Sequence, residues 1–422
     1  MKVITLISFL LFVGCKQEED IVRDANGVVT GLSQTWGKSI SNNGKLAEVV
    51  NTTQIIYDQK NVLVGVNKDG KIALGSLNSN TGQLNWTWED MVGSKSNPTF
   101  LDQISIGEDK YHVFENKLVF VWGSNTYCIN LTTGKTQWLN RFLAGRFPRC
   151  SGYANSYFYG APTKNYYEGE SLWTGSMSGQ VPDEFIVRPS YDFLNVDMNS
   201  PYQGGIGEVL PFDQGGDLLL VVLFGDPGKT SNLYQTAMGL YNYTKRQWVY
   251  ERATLNGSYP NSNVSWAKLY NGKVYHTSTR SMLCHDVMTG KEIWSVNFDQ
   301  GFALSGFTIQ DGKIFANNGD RYTYCLNPET GRQIWKEESS GSASPISYLN
   351  GVLYFMGGGD GRLHAIDANT GKHLWRLRSP DVDKNSGAFF YGTCVAVPGQ
   401  GGKKGRVVAT TGLNAYGYEA IR

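Results

Sequence analysis

Six cysteines, five histidines and one acidic loop are the side chains with chemistry to account for first. The histidines at 112, 276, 285, 364 and 373 show none of the spacings that bring two imidazoles and a third donor onto one metal ion. His285 and His364 read as strand residues. No Gly-x-Ser-x-Gly elbow and no His-Glu-x-x-His pair occurs. The stretch "DVDKNSG" (381–387) sets Asp381, Asp383 and Asn385 at alternate positions, as a calcium loop begins. Its sixth position is Ser386 rather than Gly, and its twelfth is Gly392 rather than Glu. It therefore reads as a polar connection. Cys128, Cys284 and Cys325 each stand five residues before the Thr of a turn, where other segments carry Ser76 or Ala365. A position shared by Cys, Ser and Ala is a slot for a small residue on a packed strand. Equivalent slots of a repeat lie too far apart for a disulfide. With Cys150 and Cys394, the expectation is five free, mostly buried thiols.

The elements that hold these side chains follow from a repeat. "NGKVYHTSTRSMLCHDVMTGKEIW" ends at Trp294, "DGKIFANNGDRYTYCLNPETGRQIW" at Trp335 and "NGVLYFMGGGDGRLHAIDANTGKHLW" at Trp375. Related segments end at Trp86 and Trp138, and a degenerate copy ends at Trp248. The steps from Trp248 are 46, 41 and 40 residues, the size of a four-stranded propeller blade. In each copy an apolar strand, a turn and a second strand lead to a Thr-Gly turn and a Trp-bearing strand. Gly82, Gly134, Gly290, Gly331 and Gly371 supply the positive φ of that turn. Asn78, Asn130, Asp286, Asn327 and Asp367 stand three residues before its Thr, placed to accept the turn's N–H groups. The Trp, on the outer strand, fills the gap between adjacent blades. These positions read as structural.

This pattern resembles the PQQ-like repeat, the blade unit of quinoprotein dehydrogenases and of the B-type lipoprotein of the outer-membrane β-barrel assembly machinery. The resemblance implies an all-β propeller. Residues 139–247 leave room for two blades, and "GRVVATTGLNAYGYEAIR" begins another copy that lacks a Trp strand. The count predicts eight four-stranded blades, with seven as the alternative. The quinoprotein enzymes hold their cofactor with adjacent cysteines, a Ca²⁺ site and a catalytic Asp. This chain has no adjacent cysteines and no CxxCH haem motif, so the residues support neither PQQ nor a catalytic site.

"SQTWGKSI" (33–40) carries a Trp with no strand or turn before it. Trp36 and its neighbours can be the outer strand of the last blade, pairing with 415–421 and closing the ring. Before it lies an N-terminal segment, residues 1–14, with Lys2 and an apolar run too short to span a bilayer. "FVGC" (12–15) resembles a bacterial lipobox, which implies acylation at Cys15 and a tether over residues 15–30. Glu18-Glu19-Asp20 resembles the surface-export signal of Bacteroidota lipoproteins. The domain reading is thus signal peptide 1–14, tether 15–30 and propeller 31–422. Without residues 1–14 the chain loses Lys2 from 38 basic residues and balances its 37 acidic ones. That neutrality argues against a nucleic-acid partner.

The insert 139–210 crowds aromatics among Arg, Lys and Gly. Tyr157, Tyr159, Tyr166 and Trp173 either form a binding face for protein or carbohydrate or pack an irregular blade. The expected function is a non-enzymatic, lipid-anchored binding or scaffold protein of the bacterial envelope, in the outer membrane. Its partner would be another envelope protein or a glycan. The alternatives are a quinoprotein-like oxidoreductase and a glycan-binding surface lipoprotein.

Overall fold

The computed structural model describes residues 21–42, 44, 56–69, 71–89, 111–122, 125–141, 150–162, 170–179, 183–185, 206–227, 234–255, 265–277, 280–302, 306–341, 344–383, 389–392 and 394–422. The proposed signal peptide and Cys15 lie outside these residues. The described residues form eight small antiparallel sheets and no helix. Blades 1 to 7 span residues 56–87, 111–141, 150–185, 206–254, 265–297, 307–338 and 347–377. Blade 8 takes three strands from 394–419 and its fourth from Trp36–Ser39. Strand order within each sheet follows the meander expected of a propeller, and apolar clusters fill the spaces between neighbouring blades.

Ring closure is as the sequence suggests. Trp36–Ser39 pairs antiparallel with Asn414–Glu419, Trp36 standing opposite Gly417. Thr35 N–H adds a bond to the Gly417 carbonyl at 2.8 Å. The fourth strand of blade 8 thus comes from near the start of the sequence, so the first and last blades are joined through one sheet.

Residues 22–31 correct the tether reading. Val22–Arg23 and Val29–Gly31 form a hairpin, and Val29–Gly31 runs parallel to the outer strand of blade 7, His373–Leu377. Asp24 Oδ1 accepts from the N–H groups of Asn26 and Val28 at 2.9 and 3.0 Å, and Gly27 turns at φ 79°. "DANG" (24–27) is thus a turn with its acceptor in place, not a solvated linker.

The small-residue slot acquires a reason from the register. Cys128 pairs with Trp138, Cys284 with Trp294, Cys325 with Trp335, Ala365 with Trp375 and Ser76 with Trp86. A β-bulge follows the slot in each of these blades. The indole on the outer strand lies beside the slot, so a larger side chain would collide with it. In blade 8 the slot is Gly417, where a Cβ would run into the Trp36 ring.

Candidate functional site

The recurrent tryptophans make one joint, repeated around the ring. Trp36 Nε1–H donates to the Ser79 carbonyl of blade 1 at 2.8 Å, and Trp86 to Leu131 of blade 2 at 2.8 Å. Trp294 donates to Pro328 at 2.8 Å and Trp335 to Ala368 at 3.1 Å. Each acceptor immediately follows the Asn or Asp of the next blade's turn. The ring then lies over that turn's glycine: a Cβ on Gly331 would stand 2.7 Å from Trp294 Cε3. Gly82, at φ 68°, is closed off in the same way by Trp36. Glycine is required there twice, for the positive φ and for the room.

The turns themselves are held as expected. Asn78 Oδ1 accepts from the N–H groups of Asn80 and Thr81 at 3.0 and 3.2 Å. Asp286 and Asp367 also take the Thr hydroxyl, at 2.8 and 3.0 Å. The joint is therefore a hydrogen bond, a stacked face and a capped turn acting together.

Two blades meet the same joint with other residues. In blade 3 Gly179 lies beneath Trp138, whose Nε1–H donates to the Met177 carbonyl at 3.2 Å. Ser176 Oγ replaces the Asn, accepting from Ser178 N–H at 3.2 Å. In blade 4 Trp248 is not the joint residue, which corrects the expectation. It packs edge-on to Tyr241 of its own blade, ring centroids 5.3 Å apart, against the cluster shared with blade 3. Tyr250, two residues on, does the work instead. Its hydroxyl donates to the Val287 carbonyl at 2.9 Å and its ring borders Gly290. Trp375 is a third case. Blade 8 has no Thr-Gly turn leading into its outer strand, because that strand comes from residues 36–39, and Val29 and Tyr418 cover the indole.

Polar groups buried between blades form three clusters. Between blades 6 and 7, Asp360 accepts from His364 Nε2 at 3.1 Å, and His364 Nδ1 meets His373 Nε2 at 3.2 Å. His373 Nδ1 faces both Glu337 Oε1 at 3.0 Å and an Arg376 nitrogen at 3.1 Å. Burial, then Arg376 and His364, lowers His373 to about 3, while burial raises Glu337. Hydrogen bonds running Arg376 → His373 → His364 → Asp360 give every ring nitrogen of the two histidines a partner. In blade 5, His276 and His285 stack with centroids 5.4 Å apart and have no hydrogen-bond partner among the described residues. Burial depresses them to about 3 and about 4.

Asp381 forms the third cluster. It is 3% exposed and accepts from Tyr416 Oη at 2.6 Å, Thr411 Oγ1 at 2.6 Å and Asn414 Nδ2 at 2.8 Å. Asp383 instead pairs with Arg378 at 3.2 Å. These carboxylates have different protein partners, and Asn385 lies outside the described residues. The loop ties blade 7 to blade 8, in keeping with the polar-connection reading.

Cys128, Cys150, Cys284, Cys325 and Cys394 are free and buried. Burial pushes Cys128, Cys284 and Cys325 up to about 12, and raises Cys150 and Cys394 as well. The aromatic insert resolves in part. Tyr157 and Tyr159 are fully buried, stacked with each other and with Trp138 and Trp173. They fill the space between blades 2 and 3, so they cannot form an exposed binding face; Trp173 is half-buried. Tyr166 lies outside the described residues.

Likeness to known proteins is consistent with this geometry. A family model described as the outer membrane protein assembly factor BamB matches residues 279–415, within blades 5 to 8. The quinoprotein alcohol dehydrogenase PedE of Pseudomonas putida is 29% identical over 92 residues, 21% of this chain and 14% of that protein. The match thus spans a small part of the relative's length. The structure of quinohemoprotein alcohol dehydrogenase ADHIIG from Pseudomonas putida HK5 has a TM-score of 0.62 at 11% identity, covering 92% of this chain and 76% of that one. Sqt1 of Saccharomyces cerevisiae has a TM-score of 0.59 at 12% identity, covering 91% and 99%. At such identities these structures share the fold alone. The repeated joint and the eight sheets make the chain an eight-bladed β-propeller, and over residues 279–415 it is similar to the assembly-factor family.

Proposed function

We propose that the chain is a non-enzymatic binding or scaffold propeller of the bacterial envelope, anchored by lipid at Cys15. One observation carries the reading: the reactive-looking side chains are engaged in packing. The five described thiols are buried and raised, three buried histidines are held neutral, and Asp381 is saturated by protein donors. The family model's description as an outer membrane assembly factor supports the same compartment and kind of work. The test is crosslinking in the native envelope with this chain as bait, together with a deletion strain. A stable envelope partner and impaired envelope assembly are expected. No partner and normal assembly would overturn the reading. Incorporation of labelled fatty acid, lost in Cys15→Ala, tests the anchor.

The likeness to PedE favours one second reading, a quinoprotein-like oxidoreductase. Dye reduction by the purified chain with PQQ, Ca²⁺ and alcohols decides it; turnover above the protein-free control would establish it.

A further inference from the structure

Blade 7 differs from its neighbours along its outer edge. The strand His373–Leu377 alternates buried and half-buried residues. The matching strands of blades 5 and 6, Glu292–Asn297 and Gln333–Glu338, are exposed at most positions. What covers blade 7 is the chain itself: Val29–Gly31 runs parallel to its outer strand, Val29 opposite Trp375. The residue just before each motif Trp records the effect. Leu374 packs against the cluster containing Val29, whereas Ile293 and Ile334 are 43% and 48% exposed.

The exposed apolar residues continue around the rim. Val249, one residue before Tyr250 in blade 4, and Met288, in the blade 5 turn, are also exposed. Val249, Ile293 and Ile334 thus lie on the outer strands of three consecutive blades, with Met288 in the turn that leads to one of them. The outer strands of blades 5 and 6 end their sheets, so part of their backbone N–H and C=O groups point outward. A sheet edge that also carries apolar side chains is a template for a further strand.

We infer that the outer edges of blades 5 and 6 dock an extended segment of a partner protein, added parallel to the outer strand and carrying a β-branched residue opposite the motif Trp, as Val29 does on blade 7. The inference rests on the binding or scaffold reading above and names the kind of partner it requires. Main-chain hydrogen bonds supply the affinity, and Ile293 and Ile334 set the register. A second copy is not the occupant: its own Val28 and Val29 are already buried, at 9% and 5% exposure.

The probe is a fluorescein-labelled peptide of residues 26–32, Asn-Gly-Val-Val-Thr-Gly-Leu, titrated with the full chain and read by anisotropy. Saturable binding is expected. It should weaken roughly tenfold in the Ile293→Lys/Ile334→Lys double variant and stay unchanged in Tyr153→Lys, an exposed site on blade 3. Replacing both peptide valines with proline, which removes two N–H donors, should abolish it. Both variants alter exposed side chains, and circular dichroism confirms their fold. No saturable binding, or equal binding by the double variant, overturns the edge site. A crosslinked envelope partner that binds the double variant undiminished would overturn the site and leave the scaffold reading standing; failure to find any envelope partner removes that reading itself.

Discussion

Trp36 lies over Gly82, with its indole N–H on the Ser79 carbonyl, and so the start of the chain bolts the last blade to the first. Trp36 is 8% exposed although it belongs to a four-residue strand. Its burial comes from two blades distant in sequence. The joint predicts that Gly82→Ala destabilises the fold by about 1–3 kcal/mol, because the residue would keep a positive φ and meet the ring. Gly216→Ala, also at positive φ but with open space around it, should lose less. Urea unfolding of the two variants checks the difference, and equal losses would show that the ring contact contributes nothing.

Tyr250 should behave as a joint residue and Trp248 as an ordinary packing residue. Tyr250→Phe keeps the ring but leaves the Val287 carbonyl without its donor, a loss of about 1 kcal/mol. Phe at position 248 retains the edge-on contact with Tyr241 and should lose less than an alanine there. The unfolding midpoint of each variant reads the order.

Acid should weaken the fold through the buried histidines. His276 and His285 have folded-state values of about 3 and about 4, below the value of about 6.5 for an exposed imidazole. The unfolded chain therefore takes up protons that the folded chain refuses. The stability they contribute is complete above about pH 6.5 and declines as pH falls toward 4. Blade 7 carries Phe355 and Ile366 at the matching positions. The double variant His276→Phe/His285→Ile should lose stability less steeply between pH 7 and 4.5. An unchanged slope would assign the acid sensitivity to other groups.

The five described thiols should be silent in the folded chain. Three are pushed to about 12 and all are buried, so almost no thiolate is present at pH 8. A chromogenic disulfide reagent should leave these five unmodified until denaturant is added. Rapid reaction of any of them in the native chain would show that a blade interface opens readily.

Much of the ring was legible because the joint repeats. Thr-Gly with Trp four residues after the Gly, and Asn or Asp three before the Thr, encodes a turn, a glycine seat and a ring to fill it. Trp36 was recoverable because the same ring stood without its turn. Blades 3 and 4 were harder, because the joint needs only a glycine under an aromatic ring and a polar hydrogen aimed at a carbonyl. Gly179 in "SMSG" and Tyr250 meet that need without the motif's letters, and Trp248 stands two residues before the aromatic that the joint uses. The buried pair Tyr157 and Tyr159 shows the limit of composition: an aromatic-rich insert reads the same whether its rings face solvent or a neighbouring blade. The hairpin at 22–31 was signalled by "DANG", but its seat on blade 7 depends on a long-range contact that local sequence does not contain.

Loss of Asp381 should loosen the same closure from the other side. Asp381→Asn retains the shape but weakens charge-assisted bonds from Tyr416 and Thr411, a loss of about 2–3 kcal/mol. Added Ca²⁺ should leave the melting temperature of either protein unchanged. Calcium-dependent stabilisation of the parent chain, absent from the variant, would restore the ion-site reading of this loop.

The closure itself is tested most directly by thermal melting of a chain lacking residues 30–41, beside the intact chain. The structure predicts a lower melting temperature and earlier proteolysis in blades 1 and 8, whose shared joint would be gone. Coincident melting curves would contradict the claim that Trp36 and its strand close the propeller.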